Sequence, residues 1–161
     1  MGFELRDVPG IIAGIALCQL AGIVGMAFTT PAIPTWYAAL NKPFFTPPSW
    51  VFGPAWILLY TLMGIAVYMV WDSGIERHEV RRALAAFAVQ LALNALWSAA
   101  FFGMQSPLYG LVVIILLLIT LAATTALFYR ISKVAAYLLV PYFLWGCFAS
   151  LLNLFVLLMN P

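Results

Sequence analysis

Residues 83–129 read ALAAFAVQLALNALWSAAFFGMQSPLYGLVVIILLLITLAATTALFY, 47 residues without one charged side chain. A membrane-spanning helix needs roughly 20 consecutive apolar residues. The stretch is too long for one such helix and right for two with a turn between them. Ser106-Pro107 marks the second start, a capping residue followed by proline at the first helical position. Working outward, Val8–Asn41, Pro43–Trp71 and Val134–Pro161 are uncharged over 34, 29 and 28 residues. The count is therefore five spans. The expected fold is all-α, an integral membrane bundle of five transmembrane helices in a single domain, 1–161. The helices are expected near 9–29, 48–71, 81–103, 106–129 and 133–159, with a lid loop over 30–49.

Composition excludes most alternatives. The chain has 161 residues, of which 66% are hydrophobic, 16% aromatic and only 7% charged. A soluble domain carries about 25% charge, so a water-soluble globule and a disordered chain are both ruled out. A net charge of +2 is too small for a phosphate-tracking surface, and no nucleic-acid partner is expected. The head, Met1-Gly-Phe-Glu-Leu-Arg-Asp, is of mixed sign and lacks the basic start of a signal peptide. The first apolar stretch is accordingly expected to remain as a helix. Cys18 and Cys147 fall inside spans, where a thiol behaves as a small apolar residue. His78, the only histidine, lies in the charged segment Asp72–Arg82. No metal site and no cofactor are expected.

Small residues recur every four positions on helix 1, at Gly10, Gly14, Cys18 and Gly22. Such a stripe lets helix backbones approach closely in lipid. Packing within the chain is the favoured reading and a dimer face the alternative. Ala88, Ala92, Ala95 and Ala99 make a second stripe on helix 3, so the face of an expected homodimer stays open. The segment 30–49 holds five prolines with Trp36, Tyr37, Phe44 and Phe45. Flexible linkers are rich in Gly and Ser; proline stiffens and aromatics anchor, so a lid against the membrane surface is expected. Pro47-Pro48 ends the loop and Ser49 is placed to cap helix 2. Pro54 and Pro141 lie inside spans, where neighbours can satisfy the freed backbone groups. Six of the seven Lys and Arg fall on one side of the five spans and only Lys42 on the other. By the positive-inside rule the N-terminus is expected in the cytoplasm and the C-terminus outside a cell membrane.

No ionisable side chain lies within a span, which removes proton relays and charge-lined channels. What remains is neutral and aromatic. On helix 3, Gln90, Asn94, Ser98 and Phe101 share a face with Trp97 beside them. On helix 2, Phe52, Trp56, Tyr60 and Met63 make an aromatic stripe. On helix 5, Trp145, Ala149 and Asn153 align, with Tyr142 three residues earlier. Large aromatics with a few neutral polar groups suit a pocket for a flat apolar ligand.

These residues also carry a resemblance. Trp36-Tyr37-Ala-Ala-Leu40-Asn-Lys42-Pro43-Phe-Phe-Thr-Pro47-Pro48 resembles the loop motif W-Y-x-x-L-x-K-P-x-[FW]-x-P-P of the translocator protein family (tryptophan-rich sensory protein, peripheral benzodiazepine receptor; TspO/MBR). Trp50-Val-Phe52-Gly-Pro54-Ala-Trp56 is similar to its continuation. Leu93-Asn94-Ala-Leu-Trp97-Ser98 with Phe101-Phe102-Gly103 resembles the third-helix signature. Val140-Pro141-Tyr142-Phe-Leu-Trp145, Phe148-Ala149 and Leu152-Asn153 resemble the fifth. The resemblance covers essentially the whole chain. It implies a five-helix bundle, commonly a homodimer, which binds porphyrins (protoporphyrin IX, haem) and benzodiazepine- or isoquinoline-like ligands beneath the first loop.

Carried over position by position, the resemblance implies that Tyr37 and Pro47 contact ligand from the lid. It ties Trp56 and Trp145 to porphyrin chemistry, as the catalytic pair if the protein is an enzyme. It puts Asn94 and Trp97 on the third-helix wall and Ala149 at a small position beside Trp145. Together with the residues read from the helix faces, the expected ligand set is Tyr37, Pro47, Phe52, Trp56, Asn94, Trp97, Ser98, Phe101, Trp145 and Ala149. The leading reading is a receptor or sensor of tetrapyrroles. Light- and oxygen-dependent porphyrin degradation and porphyrin or sterol transport are the alternatives. The chain departs from the animal members at the end of helix 5. Asn153–Met159 holds no Tyr and no basic residue after it, which speaks against cholesterol as a partner. Membrane lipid is the remaining expected contact.

Overall fold

In a bilayer the backbone must satisfy its own hydrogen bonds within each segment, and the uncharged stretches accordingly form helices. The structure, a computed structural model, describes residues 5–161. Residues 1–4, part of the mixed-sign head, lie outside the described residues. A short 3₁₀ turn, Leu5–Asp7, leads into α1 (Val8–Ala32). Then follow α2 (Ser49–Asp72), α3 (His78–Ser98), α4 (Pro107–Ile131) and α5 (Lys133–Met159). Among the described residues, five helical segments are long and apolar enough to cross a membrane. The protein is a multi-pass membrane protein.

The helix ends follow local chemistry. Ser106 accepts from the Tyr109 N–H at 3.3 Å and Ser132 from the Ala135 N–H at 3.3 Å, so both hydroxyls satisfy an otherwise unpaired amide. Ser49 does not cap α2. Pro48, extended at φ −55° and ψ 143°, holds the N-cap position and makes no side-chain cap bond, and Ser49 is already helical.

The loop expected over 30–49 is shorter than the prolines suggested. α1 runs through Pro31, and a wider π turn, Ile33–Tyr37, carries the helix on to Tyr37. Pro34 lacks the N–H for a regular α turn, and the π turn absorbs that loss. Thr35 Oγ1 donates to the Pro31 carbonyl at 2.9 Å. Irregular chain is confined to residues 40–48. A second π turn, Ala99–Gly103, closes α3. The chain then reverses through Gln105, whose φ of 51° is in the left-handed region.

The helices form a ring. α1 packs on α2 and α3, α4 packs on α3 and α5, and α5 packs on α2. The order around the ring is therefore α1, α2, α5, α4, α3. The glycine stripe of α1 is consumed within it. A Cβ on Gly14 would strike the Gly64 carbonyl oxygen, and one on Gly64 would strike the backbone of Ile15. Gly10 and Gly22 face the rings of Tyr68 and Tyr60. All three glycines meet α2, so they serve the close packing of α1 on α2. Elsewhere the ring is filled by apolar side chains, including Met63, Val70, Leu121 and Leu139, with Phe87 and Phe128 stacked at 5.8 Å. On the outer side, a groove of about 720 Å³ lies between α1 and α3, lined by Leu17, Val24, Ala88, Ala92 and Ala95 among others.

Candidate functional site

Three helices are joined at the middle of the ring by one neutral bridge. Tyr60 of α2 donates its hydroxyl to Asn94 Oδ1 of α3. Asn94 Nδ2 donates to the Tyr142 hydroxyl of α5 at 2.7 Å. All three side chains are buried. In an apolar interior an unpaired amide or hydroxyl is costly, so these two bonds hold their three members in place. Trp56 lies on this bridge. Its indole stacks on Tyr60 at 5.4 Å and 27°, and meets Tyr142 edge-on at 6.2 Å.

Two aromatic groups flank the bridge. Between α1 and α3, Trp97 stacks on Phe101 at 5.6 Å, and Phe101 packs against Trp36 at 5.4 Å and Tyr37 at 6.3 Å. Between α2 and α5, Phe52 meets Trp145 at 5.9 Å, and Trp145 meets Phe148 at 5.7 Å. Phe45 of the loop continues this second group, 6.4 Å from Phe148. The loop thus enters one group through Phe45, while the end of the first helix supplies Trp36 and Tyr37 to the other.

The loop is tied down where it leaves the first helix, by two adjacent residues. Lys42 Nζ donates to the carbonyls of Tyr37 at 2.7 Å, Leu40 at 2.9 Å and Ala38 at 3.3 Å, and it sits 4.8 Å above the Tyr37 ring. A cation there neutralises the carbonyl end of the first helix. Asn41 and Asn160 pair reciprocally. The Asn41 N–H donates to Asn160 Oδ1 at 2.9 Å, and Asn160 Nδ2 donates to the Asn41 carbonyl at 2.9 Å. The loop is therefore held against the last residues of α5.

The ten residues expected to line one pocket divide among these groups. Trp56 and Asn94 belong to the central bridge. Tyr37, Trp97 and Phe101 lie on the α1–α3 side, and Phe52 and Trp145 on the α2–α5 side. Ala149 packs half-buried against the core. Pro47 is half-buried in the loop. Ser98 stands apart. Its hydroxyl is the group a Cβ on Gly25 of α1 would touch, at 2.9 Å. Steps of four residues advance a helix face by about 40° each, so by Ser98 the face that starts at Gln90 has turned towards α1.

The three interior tryptophans also differ in their indole N–H groups. Trp97 Nε1 donates to Asn153 Oδ1 at 3.2 Å, and Asn153 Nδ2 donates to the Pro107 carbonyl at 2.7 Å. Trp97 is committed to joining α3, α4 and α5. Trp56 and Trp145 are half-buried rings. Tyr60, Tyr142, Trp36 and Asn153 were absent from the expected set, although Tyr60, Tyr142 and Asn153 lie on the periodic faces that pointed to it. The Asn41–Asn160 pair had no local signal, because its partners are 119 residues apart.

A ring of five apolar spanning helices around an aromatic, uncharged interior defines a tryptophan-rich integral membrane protein. Residues 14–159 match the model of the TspO/MBR family. The chain is 48% identical over 156 residues to the tryptophan-rich protein TspO of Archaeoglobus fulgidus, covering 97% of each chain. It is 47% identical over 147 residues to the tryptophan-rich protein TspO of Chlorobaculum tepidum, covering 91% of this chain and 93% of that one. With the human translocator protein it shares 40% over 154 residues, covering 95% of this chain and 85% of the other. The chain belongs to the TspO/MBR family.

Proposed function

We propose that this protein is a membrane receptor of the sensor type that binds tetrapyrroles such as protoporphyrin IX in the aromatic interior beneath the loop. The observation that carries the reading is Trp56. Its flat face rests on the bonded Tyr60–Asn94–Tyr142 bridge, while its ring remains half-buried. A rigid indole of this kind is ready to stack on a macrocycle without rearrangement. Trp145, on the opposite wall with Phe52, supplies the second face. The names of relatives support the coarser role: they include a tryptophan-rich sensory protein of Cereibacter sphaeroides and translocator proteins of several mammals.

A titration of protoporphyrin IX into purified protein in lipid nanodiscs tests this. Saturable tryptophan quenching is expected, with the dissociation constant raised about tenfold in Trp56→Phe and in Trp145→Phe. Wild-type affinity in both variants overturns the site. Repeating the titration under light separates the receptor from a degrading enzyme. A spectral change that the double variant loses favours the enzyme; the same change with porphyrin alone removes it.

The membrane orientation belongs to the same reading. The chain enters from the cytoplasm and ends outside, with the loop facing outward, as the Lys and Arg distribution requires. A phosphatase fused after Pro161 is expected to be active outside the cell. Activity of a fusion that works only in the cytoplasm reverses the assignment.

A further inference from the structure

Gln90 of α3 is fully buried, at 0% exposure, and neither its Oε1 nor its Nε2 has a hydrogen-bond partner. Its are the only buried side-chain N and O atoms in that state among the described residues. The neighbourhood explains this. One turn along the same face, Asn94 is engaged by Tyr60 on one side and Tyr142 on the other. The positions one turn from Tyr60 and Tyr142 towards the α2–α3 connection are Met63 and Leu139, both fully buried. Neither offers a strong partner. The buried hydroxyl of Thr124 donates to the Thr120 carbonyl at 2.7 Å. An amide with nothing to bond is expensive in such an interior, and a leucine or methionine fills the same space without that cost.

The Tyr142 hydroxyl is the complementary group. It accepts from Asn94 at 2.7 Å and donates to no side chain or carbonyl among the described residues. The donors all run one way, from Tyr60 to Asn94 to Tyr142. Gln90 precedes Asn94 by four residues, a rise of about 6 Å along α3. A single bridging molecule covers such a gap. It must be small, because the amide is enclosed. It must be neutral, because among the described residues no Asp, Glu, Lys, Arg or His is buried in the interior to balance a charge. It must both accept and donate, because it accepts a hydrogen bond from the Tyr142 hydroxyl and donates one to Gln90 Oε1.

We propose that the ring interior at Gln90 is a water site, and that the bound water extends the bridge to Tyr60–Asn94–Tyr142–water–Gln90. The extended chain is the floor on which Trp56 rests. Solid-state NMR of the full-length, ¹⁵N-labelled protein in lipid nanodiscs tests it without any ligand. The Gln90 side-chain amide is identified by its loss in Gln90→Leu. Magnetisation transfer from water to that amide is expected in wild type, and its loss in Tyr142→Phe. Gln105, exposed in the α3–α4 turn, is the positive control. No transfer to Gln90 while Gln105 shows it overturns the proposal, as does unchanged transfer in Tyr142→Phe. The sign of the thermal shift is a second reading. Gln90→Leu is expected to melt about 2–4 °C lower, having lost a bonded group. A variant that melts higher than wild type marks Gln90 as an amide without a partner, and the water site falls. Should Gln90→Leu fail to fold, Gln90→Met supplies both the assignment and the thermal reading.

Discussion

Asn94 shows how one side chain takes a role that its spacing suggested only in outline. Its place on a face with Gln90 and Phe101 marked it as polar and inward, and a ligand carbonyl was a natural partner. In the fold, its amide holds Tyr60 and Tyr142 together, so its first duty is to join α2, α3 and α5. Asn94→Leu leaves both hydroxyls unpaired in the interior. A loss of about 1–3 kcal/mol for each stranded hydroxyl is expected. Thermal unfolding in nanodiscs measures it, and adding Tyr142→Phe should recover part of the loss, because the second variant removes a stranded group. Trp97 and Trp56 make the same point. Both are half-buried indoles on interior faces, yet Trp97 donates to Asn153 and Trp56 stacks on Tyr60. Sequence spacing put all three side chains inward, but the hydrogen-bond partners that commit Asn94 and Trp97 come from other helices.

At the scale of elements, the lid is the part whose reading changed most. Its prolines and aromatics were legible, and so was its position between the first two spans. Its extent was not. Pro31 and Pro34 read as helix breakers, but α1 runs through the first, a π turn accommodates the second, and the helix persists to Tyr37. What holds the remaining nine residues is the Lys42 cap and the Asn41–Asn160 pair. Asn160→Ala is expected to speed hydrogen exchange across residues 40–48 while leaving the spanning helices unchanged. Uniform protection across the loop in that variant means that the aromatic contacts of Phe45 with Phe148 and Phe155 hold it alone. On the proposed function, porphyrin entry should also quicken in Asn160→Ala, since the loop then loses its polar tie to the end of α5.

For the whole molecule, the ring order places the two small-residue stripes differently. The stripe of α1 faces α2, where Gly14 and Gly64 bring the two backbones together. Ala88 and Ala92 of α3 remain exposed on the outer side. A homodimer is therefore expected to pair through α3. Ala88→Cys should cross-link in native membranes, and Gly14→Cys should give no cross-link and a destabilised protein. Cross-linking at Gly14 with none at Ala88 reverses this assignment.

The sequence by itself determined the five spans, their limits to within a few residues except at the end of the first, and the capping serines at 106 and 132. It also determined the uncharged aromatic character of the interior. These follow from local rules: the length of apolar runs against the bilayer thickness, the position of charges, and the chemistry of helix ends. The tertiary structure alone decided the order α1, α2, α5, α4, α3 around the ring. It alone joined Tyr60, Asn94 and Tyr142, left Gln90 without a protein partner, and clamped Asn41 to Asn160. The physical reason is common to all of these. A helical period of 3.6 residues states which side chains share a face, but in lipid every helix has apolar faces on all sides. Only the packing of one helix against another selects which face turns inward and which polar groups meet there.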